Sequence, residues 1–129
     1  MRLVEAEAAL ATLDEGVRTA NRSLTERDSA ILRLIYTFEA MWKACQQLLA
    51  EREDIETASP NTAIRAARRL GWLSDADAEA AMKIGRDRNL AVHMYRGRIG
   101  EEIEERLAAH AAVLHRWLDA LKERAAGDT

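Results

Sequence analysis

The strongest constraint on the fold is a long run of apolar residues at helical spacing. Between positions 31 and 49, apolar side chains recur every three or four residues, at Ile31, Leu34, Ile35, Phe38, Met41, Trp42, Cys45, Leu48 and Leu49. This spacing predicts an amphipathic helix that buries one face. Aromatic residues are 5% of the chain, with 1 proline and 6 glycines, which is too few for a β-sandwich or barrel. The chain is therefore predicted to be all-α.

A first helix and a loop flank this long second helix. Apolar residues at helical spacing predict the first helix over about residues 3–17, with a break at 21–23. Thr25 with Asp28 predicts a capping box at the start of the second helix. Its polar end, residues 51–57, is predicted to fray into a loop.

One proline and a few glycines divide the remainder into three helices. Ser59 and Pro60 predict an N-cap and first helical residue, and Gly71 predicts the end of a short third helix over 61–70. The fourth helix is predicted from Asp75, after Ser74 as N-cap, to the neighbourhood of Tyr95. Gly97 and Gly100 predict the next break. The fifth helix then follows, with one apolar face made of Ile103, Leu107, Ala111, Leu114, Leu118 and Leu121.

These elements predict one up-down bundle of four to five helices over residues 1–124, with a disordered tail at 125–129. The net charge of −3 and pI near 5.7 argue against wholesale electrostatic binding to nucleic acid, although most of the 19 basic residues are arginines. The single Cys45 fits a reducing cytoplasm. We expect a cytoplasmic protein, because the acidic N-terminus resembles no signal peptide and no apolar run approaches a membrane span.

Few residues are candidates for chemistry. The sequence contains no glycine-rich phosphate loop, no cysteine pair and no zinc-binding helix motif, so we expect neither a metal nor a cofactor. His110 and His115 are five residues apart on one helix, which places them about 140° apart and prevents them from sharing a metal. Both are expected at the surface or the edge of the bundle.

His93 lies in a stretch with a different character. Asn89 and His93 are four residues apart, and Arg88 and Tyr95 are seven apart, so each pair is aligned on a helix. An imidazole can exchange a proton near neutral pH, and a guanidinium can stabilise charge on phosphorus. These groups suit metal-free cleavage of RNA, which supplies its own 2′-OH nucleophile. The alternative is a solvated helix face with ion pairs to Asp87 and nearby acids.

The same stretch resembles a known family. Arg88-Asn89-x-x-x-His93-x-Tyr95 is similar to the Arg-x4-His-x-Tyr motif of HEPN (higher-eukaryote and prokaryote nucleotide-binding) proteins. Residues 27–43, with Phe38-Glu39-x-x-Trp42-Lys43, resemble the second helix of the bacterial nucleotidyltransferase substrate-binding branch of that class. Ser59-Pro60 and Gly71-Trp72-Leu73-Ser74 are similar to that branch too. The resemblance covers roughly residues 5–120.

This resemblance implies a fold, an activity and partners. The fold would be a helical bundle that forms a homodimer, with the two Arg-x4-His segments meeting in a cleft. The activity would be that of a metal-independent ribonuclease toxin. A minimal nucleotidyltransferase would serve as antitoxin by transferring AMP onto the tyrosine of the motif.

The resemblance also assigns roles to individual residues. Arg88 would orient the scissile phosphate and stabilise the transition state, and His93 would be the general acid and base. Asn89 would position the substrate or His93. Tyr95 would accept the AMP, whose charge and bulk would exclude RNA.

Four further polar residues are expected to support the site. Asp87 would orient Arg88 or Arg86, and Glu39 would pair with an arginine of the fourth helix. Arg96 adds positive charge beside the tyrosine, where it would suit RNA or a nucleotide phosphate, or else cap the helix end.

The aromatic residues and the cysteine have mainly structural interpretations. Phe38 and Trp42 are expected in the core, and Cys45 is expected to be a buried, inert thiol. Trp72 would make a contact at a helix C-terminus or be exposed at an interface. Trp117 would pack in a dimer or against a partner.

Three hypotheses of function follow. The first is a HEPN ribonuclease toxin controlled through Tyr95, with RNA as substrate. The second is a non-catalytic subunit that presents substrate to a nucleotidyltransferase from the same cleft. The third is a purely structural helical dimer.

Overall fold

The computed structural model describes residues 2–93 and 97–127 and confirms the predicted all-α bundle. The described residues form five helices and contain no β-strand. The helices are α1 Arg2–Arg18, α2 Leu24–Glu53, α3 Pro60–Arg69, α4 Asp75–His93 and α5 Gly97–Ala126. None of the described helices combines the length and the apolar character needed to cross a lipid bilayer.

The core lies between the long helices α2 and α5, with α1 packed on both and α4 closing the side that carries the candidate site. Phe38 of α2 and Trp117 of α5 are both fully buried and meet edge to face, with ring centroids 6.2 Å apart. The prediction that Trp117 packs in a dimer or against a partner is therefore wrong. Trp117 follows Leu114 by three residues on the buried stripe of α5, which directs its ring into its own bundle.

Helix α2 begins two residues earlier than predicted. The Ser23 hydroxyl accepts from the Glu26 backbone N–H at 3.1 Å, and the Glu26 carboxylate accepts from the Ser23 N–H at 2.9 Å. This reciprocal capping box replaces the predicted pair of Thr25 and Asp28. The helix also continues to Glu53, so the first three residues of the predicted 51–57 loop are helical.

Helix α3 begins at Pro60 as predicted and ends at Arg69, one residue before the predicted end. The Ser59 hydroxyl accepts from the Thr62 N–H, and Pro60 is the first helical residue. At the other end, the Gly71 N–H donates to the Arg68 carbonyl at 3.0 Å and the Trp72 N–H donates to the Ala67 carbonyl at 2.9 Å. This pair of bonds is a Schellman motif. The Trp72 side chain is buried, so the interpretation that it is exposed at an interface is wrong.

Replacing Gly71 with alanine is expected to lower the free energy of unfolding by about 1 kcal/mol. Gly71 has φ of +77°, a conformation that disfavours a Cβ atom even though no atom lies within 4 Å of the position it would occupy. Gly71→Asn should cost less, because asparagine tolerates this region, as Asn21 does at φ 51°. Urea denaturation of the three proteins measures both values, and equal losses in the two variants would contradict the conformational explanation.

Helix α5 is longer than predicted at both ends. It begins at Gly97, and Gly100 is buried inside it, so the break does not extend to Gly100. It continues to Ala126, two residues into the predicted disordered tail. Alanine favours helix, and a side-chain N–H of Arg52 donates to the Ala125 carbonyl at 2.9 Å. The last two residues, 128 and 129, lie outside the described residues.

Candidate functional site

The last turns of α4 present three polar side chains on one face. Arg86, Asn89 and His93 are spaced by three and four residues, which aligns them along the helix. All three are exposed, and together with Leu90 and Ile99 they line an open cavity of about 530 Å³. Asn89 and His93 therefore line the same cavity at the end of α4, as their spacing predicted.

Arg88 points to a different side of α4 and is held by α2. Its Nη2 lies 2.7 Å from Glu39 Oε2, and its Nη1 donates to Asn89 Oδ1 at 3.1 Å. Its guanidinium carbon lies 5.6 Å from the centre of the Phe38 ring. The predicted pairing of Glu39 with an arginine of the fourth helix is confirmed, and Glu39 also accepts from Trp42 Nε1 at 2.9 Å. Arg88 is therefore a preorganised cation at the edge of the core.

Arg88 and His93 line separate depressions. Arg88 contributes to a smaller pocket of about 180 Å³ at the N-terminus of α3, while His93 lines the larger cavity. Arg86 and Asn89 line both and form the wall between them. Within one chain, Arg86 is thus the arginine that shares a cavity with His93, although the sequence suggested only a supporting role for it.

Asp87 faces the interior instead of making the predicted contact with Arg88 or Arg86. Both of its carboxylate oxygens accept from Arg106 of α5, each at 2.8 Å, and its Oδ2 lies 2.6 Å from His110 Nε2. Asp87 follows Ile84 by three residues on the buried face of α4, which explains its inward direction. Burial alone would raise the pKa of Asp87, but the hydrogen bonds from His110 and Arg106 outweigh it and lower the pKa to about 2.

His110 and Arg106 are residues whose role the sequence analysis missed. His110 was expected at the surface or the bundle edge, but it is 5% exposed. A signal was present, because His110 follows Leu107 by three residues on the apolar stripe of α5, and a polar group there needs a buried partner. His115 does lie at the surface, where its Nε2 is 2.8 Å from Asp14 Oδ2.

The remaining candidates add no further group to the described site. Tyr95 and Arg96 lie outside the described residues. Burial raises the pKa of Cys45 to about 12, so this thiol stays protonated and unreactive inside the core. Within residues 2–93 and 97–127, no three side chains of His, Cys, Asp or Glu come together in a way that could hold a metal ion.

Comparison with known proteins assigns the chain to a family. Residues 1–123 match the sequence profile described as nucleotidyltransferase substrate binding protein like. A crystal structure of a Thermus thermophilus protein is 44% identical over 91% of this chain and 98% of its own, with a TM-score of 0.87. No curated protein matches the chain.

More distant structures share the fold. A tri-AMPylated Shewanella oneidensis HEPN toxin in complex with MNT antitoxin is 16% identical, covers 94% of this chain and 93% of its own, and has a TM-score of 0.78. A toxin–antitoxin structure with AMP-PNP is 14% identical over 93% and 94% of the two chains, with a TM-score of 0.76. The profile match along nearly the whole sequence shows that this chain, which has the helical fold of HEPN toxins, belongs to the nucleotidyltransferase substrate binding protein like family.

Proposed function

We propose that this protein is the HEPN toxin of a toxin–antitoxin pair and cleaves RNA in the cytoplasm without a metal ion. The observation that carries the proposal is the grouping of polar side chains at the end of α4. There His93, Asn89 and Arg86 share an open cavity beside Arg88, which Glu39 holds at 2.7 Å. A proton-transfer group, an amide and one cation in this cavity, with a second cation in the adjoining pocket, match the requirements of phosphodiester cleavage.

The proposed reaction uses the 2′-OH of the substrate as nucleophile. His93 removes the 2′ proton while the oxygen attacks phosphorus and the bond to the 5′ oxygen breaks. The products are a 2′,3′-cyclic phosphate and a 5′-hydroxyl, whose oxygen receives a proton from the imidazolium. Arg88 stabilises the charge on pentavalent phosphorus with the N–H groups that Glu39 and Asn89 leave free, and Asn89 positions the substrate.

A homodimer would complete this site. Apolar side chains on α2 and α4 are exposed beside it, where Leu32, Ile35 and Val92 line a groove of about 440 Å³. Tyr36 is also 59% exposed on the same stretch of α2. A patch of this kind favours burial against another surface. A second copy seated there would bring two Arg-x4-His segments together.

The proposed control is nucleotidylation of Tyr95. The phenol oxygen attacks the α-phosphorus of ATP in the active site of a partner minimal nucleotidyltransferase, and pyrophosphate leaves. The added phosphate and nucleoside place negative charge and bulk two residues from His93, which repels RNA. Structurally similar toxins described as tri-AMPylated or as bound to an antitoxin support this assignment.

Intact mass spectrometry tests the proposed nucleotidylation of Tyr95 directly. Co-expression with a partner minimal nucleotidyltransferase is expected to add mass in steps of one nucleotide to the wild-type protein and none to Tyr95→Phe. The chain has 2 tyrosines, so Tyr36→Phe is the matched control, and it should still be modified. Growth arrest by Tyr95→Phe should persist with the partner present. Modification retained in Tyr95→Phe would contradict the assignment.

A second candidate is a non-catalytic subunit that presents substrate to a nucleotidyltransferase. The family description, nucleotidyltransferase substrate binding protein like, favours it. It uses the same cavity but requires no cleavage. A stable complex of the two proteins, without added mass and without His93-dependent RNA cleavage, would support this candidate over the toxin.

A further inference from the structure

Helix α3 carries a concentration of positive charge that the proposed reaction does not use. Its ten residues include three arginines and no acid, although the whole chain has a net charge of −3. Its buried face consists of Ala63, Ile64, Ala66 and Ala67, and Arg65, Arg68 and Arg69 are all exposed. Arg68 has one long ion pair, 4.0 Å from Asp75. In the described part of the chain, Arg65 and Arg69 have no carboxylate within that distance.

This basic face continues into the candidate site. Thr62 and the three arginines line a depression of about 170 Å³. Asn61, which precedes Thr62, lines the pocket to which Arg86, Arg88 and Asn89 also contribute. Arg86 and Asn89 in turn line the cavity of His93. Polar and basic groups thus follow one another from His93 along α4 and then along α3, over a path on the order of 20 Å.

The charge is not explained by helix capping alone. Arg68 and Arg69 lie in the last turn of α3, where the helix dipole favours cations. Arg65 lies a full turn earlier and gains little from that effect. Arg65 is three and four residues from the other two, which gives a Cβ spacing of about 5–6 Å. This spacing suits successive phosphates of an extended single strand.

We propose that the arginine face of α3 binds the phosphate backbone of single-stranded RNA whose scissile bond lies at His93. The inference rests on the proposed ribonuclease function and extends it by assigning the path of the substrate. A positively charged groove that follows the backbone is the usual way to hold a single strand without reading its sequence. The arginine face of α3 is continuous with the His93 cavity. This continuity favours RNA as the ligand, because an acidic protein surface could bind the arginines without reaching that cavity.

The test compares two double variants that remove the same charge. Arg65→Gln/Arg69→Gln removes two cations from α3, and Arg2→Gln/Arg18→Gln removes two exposed cations from α1. Binding is measured by fluorescence anisotropy with a labelled RNA of about 12 nucleotides carrying 2′-O-methyl groups, which prevent cleavage. The titration is repeated between about 50 and 200 mM KCl. Circular dichroism confirms that both variants keep the helical content of the wild-type protein.

We expect the α3 variant to bind about tenfold more weakly at low salt, with a salt slope reduced by about 0.7 for each phosphate that its side chains no longer neutralise. The α1 variant should bind like the wild-type protein. Equal binding by the two variants would overturn the α3 path and leave the ribonuclease proposal to be judged by His93-dependent cleavage. Loss of nucleotidyltransferase binding in the α3 variant, without loss of RNA binding, would also overturn it and assign α3 to the protein partner.

Discussion

Replacing His93 with alanine is expected to abolish RNA cleavage and the growth arrest that it causes. In the proposed reaction the imidazole accepts the 2′ proton and returns a proton to the 5′ oxygen, and loss of such a group lowers rates by about 10²- to 10⁴-fold. Because His93 is exposed at the end of α4, its removal opens no cavity in the core. Cleavage of a single-stranded RNA in the presence of EDTA, with the melting temperature measured in parallel, provides the result.

The other two histidines serve as controls for this experiment. His115→Ala removes an exposed ring that contacts Asp14, so both cleavage and stability should stay near wild type. His110→Ala removes a buried partner of Asp87 and should lower stability. Persistent toxicity of the folded His93→Ala variant would refute the catalytic assignment. Equal loss of cleavage in His93→Ala and His115→Ala would refute it as well.

Asp87→Asn is expected to lower the free energy of unfolding by about 2 to 3 kcal/mol. The substitution keeps the shape of the side chain but removes the charge that accepts two hydrogen bonds from Arg106 and one from His110. The Asp87 side chain is 7% exposed, so water cannot replace these partners fully. Guanidinium chloride denaturation at neutral pH measures the loss.

The pH dependence of stability gives an independent check. The pKa of Asp87 falls from 3.8 to about 2 on folding, so its contribution of about 2 kcal/mol is fully present above about pH 4 and is lost as pH falls towards 2. The Asp87→Asn protein should lack this part of the acid sensitivity. Asp14→Asn, which removes a carboxylate paired with the exposed His115, should cost less than about 1 kcal/mol. Equal losses in the two variants would show that burial does not strengthen the Asp87 cluster.

The local signals in the sequence were sufficient for the helices and for part of the site. Apolar spacing of three and four residues places α2 and α5, and Ser59-Pro60 and Gly71 bound α3 correctly. Such features act within a few residues, through backbone hydrogen bonds and conformational preferences, so sequence reasoning can reach them. The pairing of Glu39 with Arg88 was also accessible, because a carboxylate on an apolar helix face requires a partner.

What the sequence could not determine was the direction of side chains whose partners lie far along the chain. Asp87 finds Arg106 and His110, which are 19 and 23 residues away, only because α4 packs against α5. Trp117 is in the core rather than at an interface for the same reason, since α2 presents Phe38 to it. The sequence by itself determined an all-α bundle, and it predicted a polar segment whose groups suit phosphodiester cleavage. The packing of the helices decided which of its charges face the interior and which face the cavity, because burial and partner distance exist only once the helices have packed.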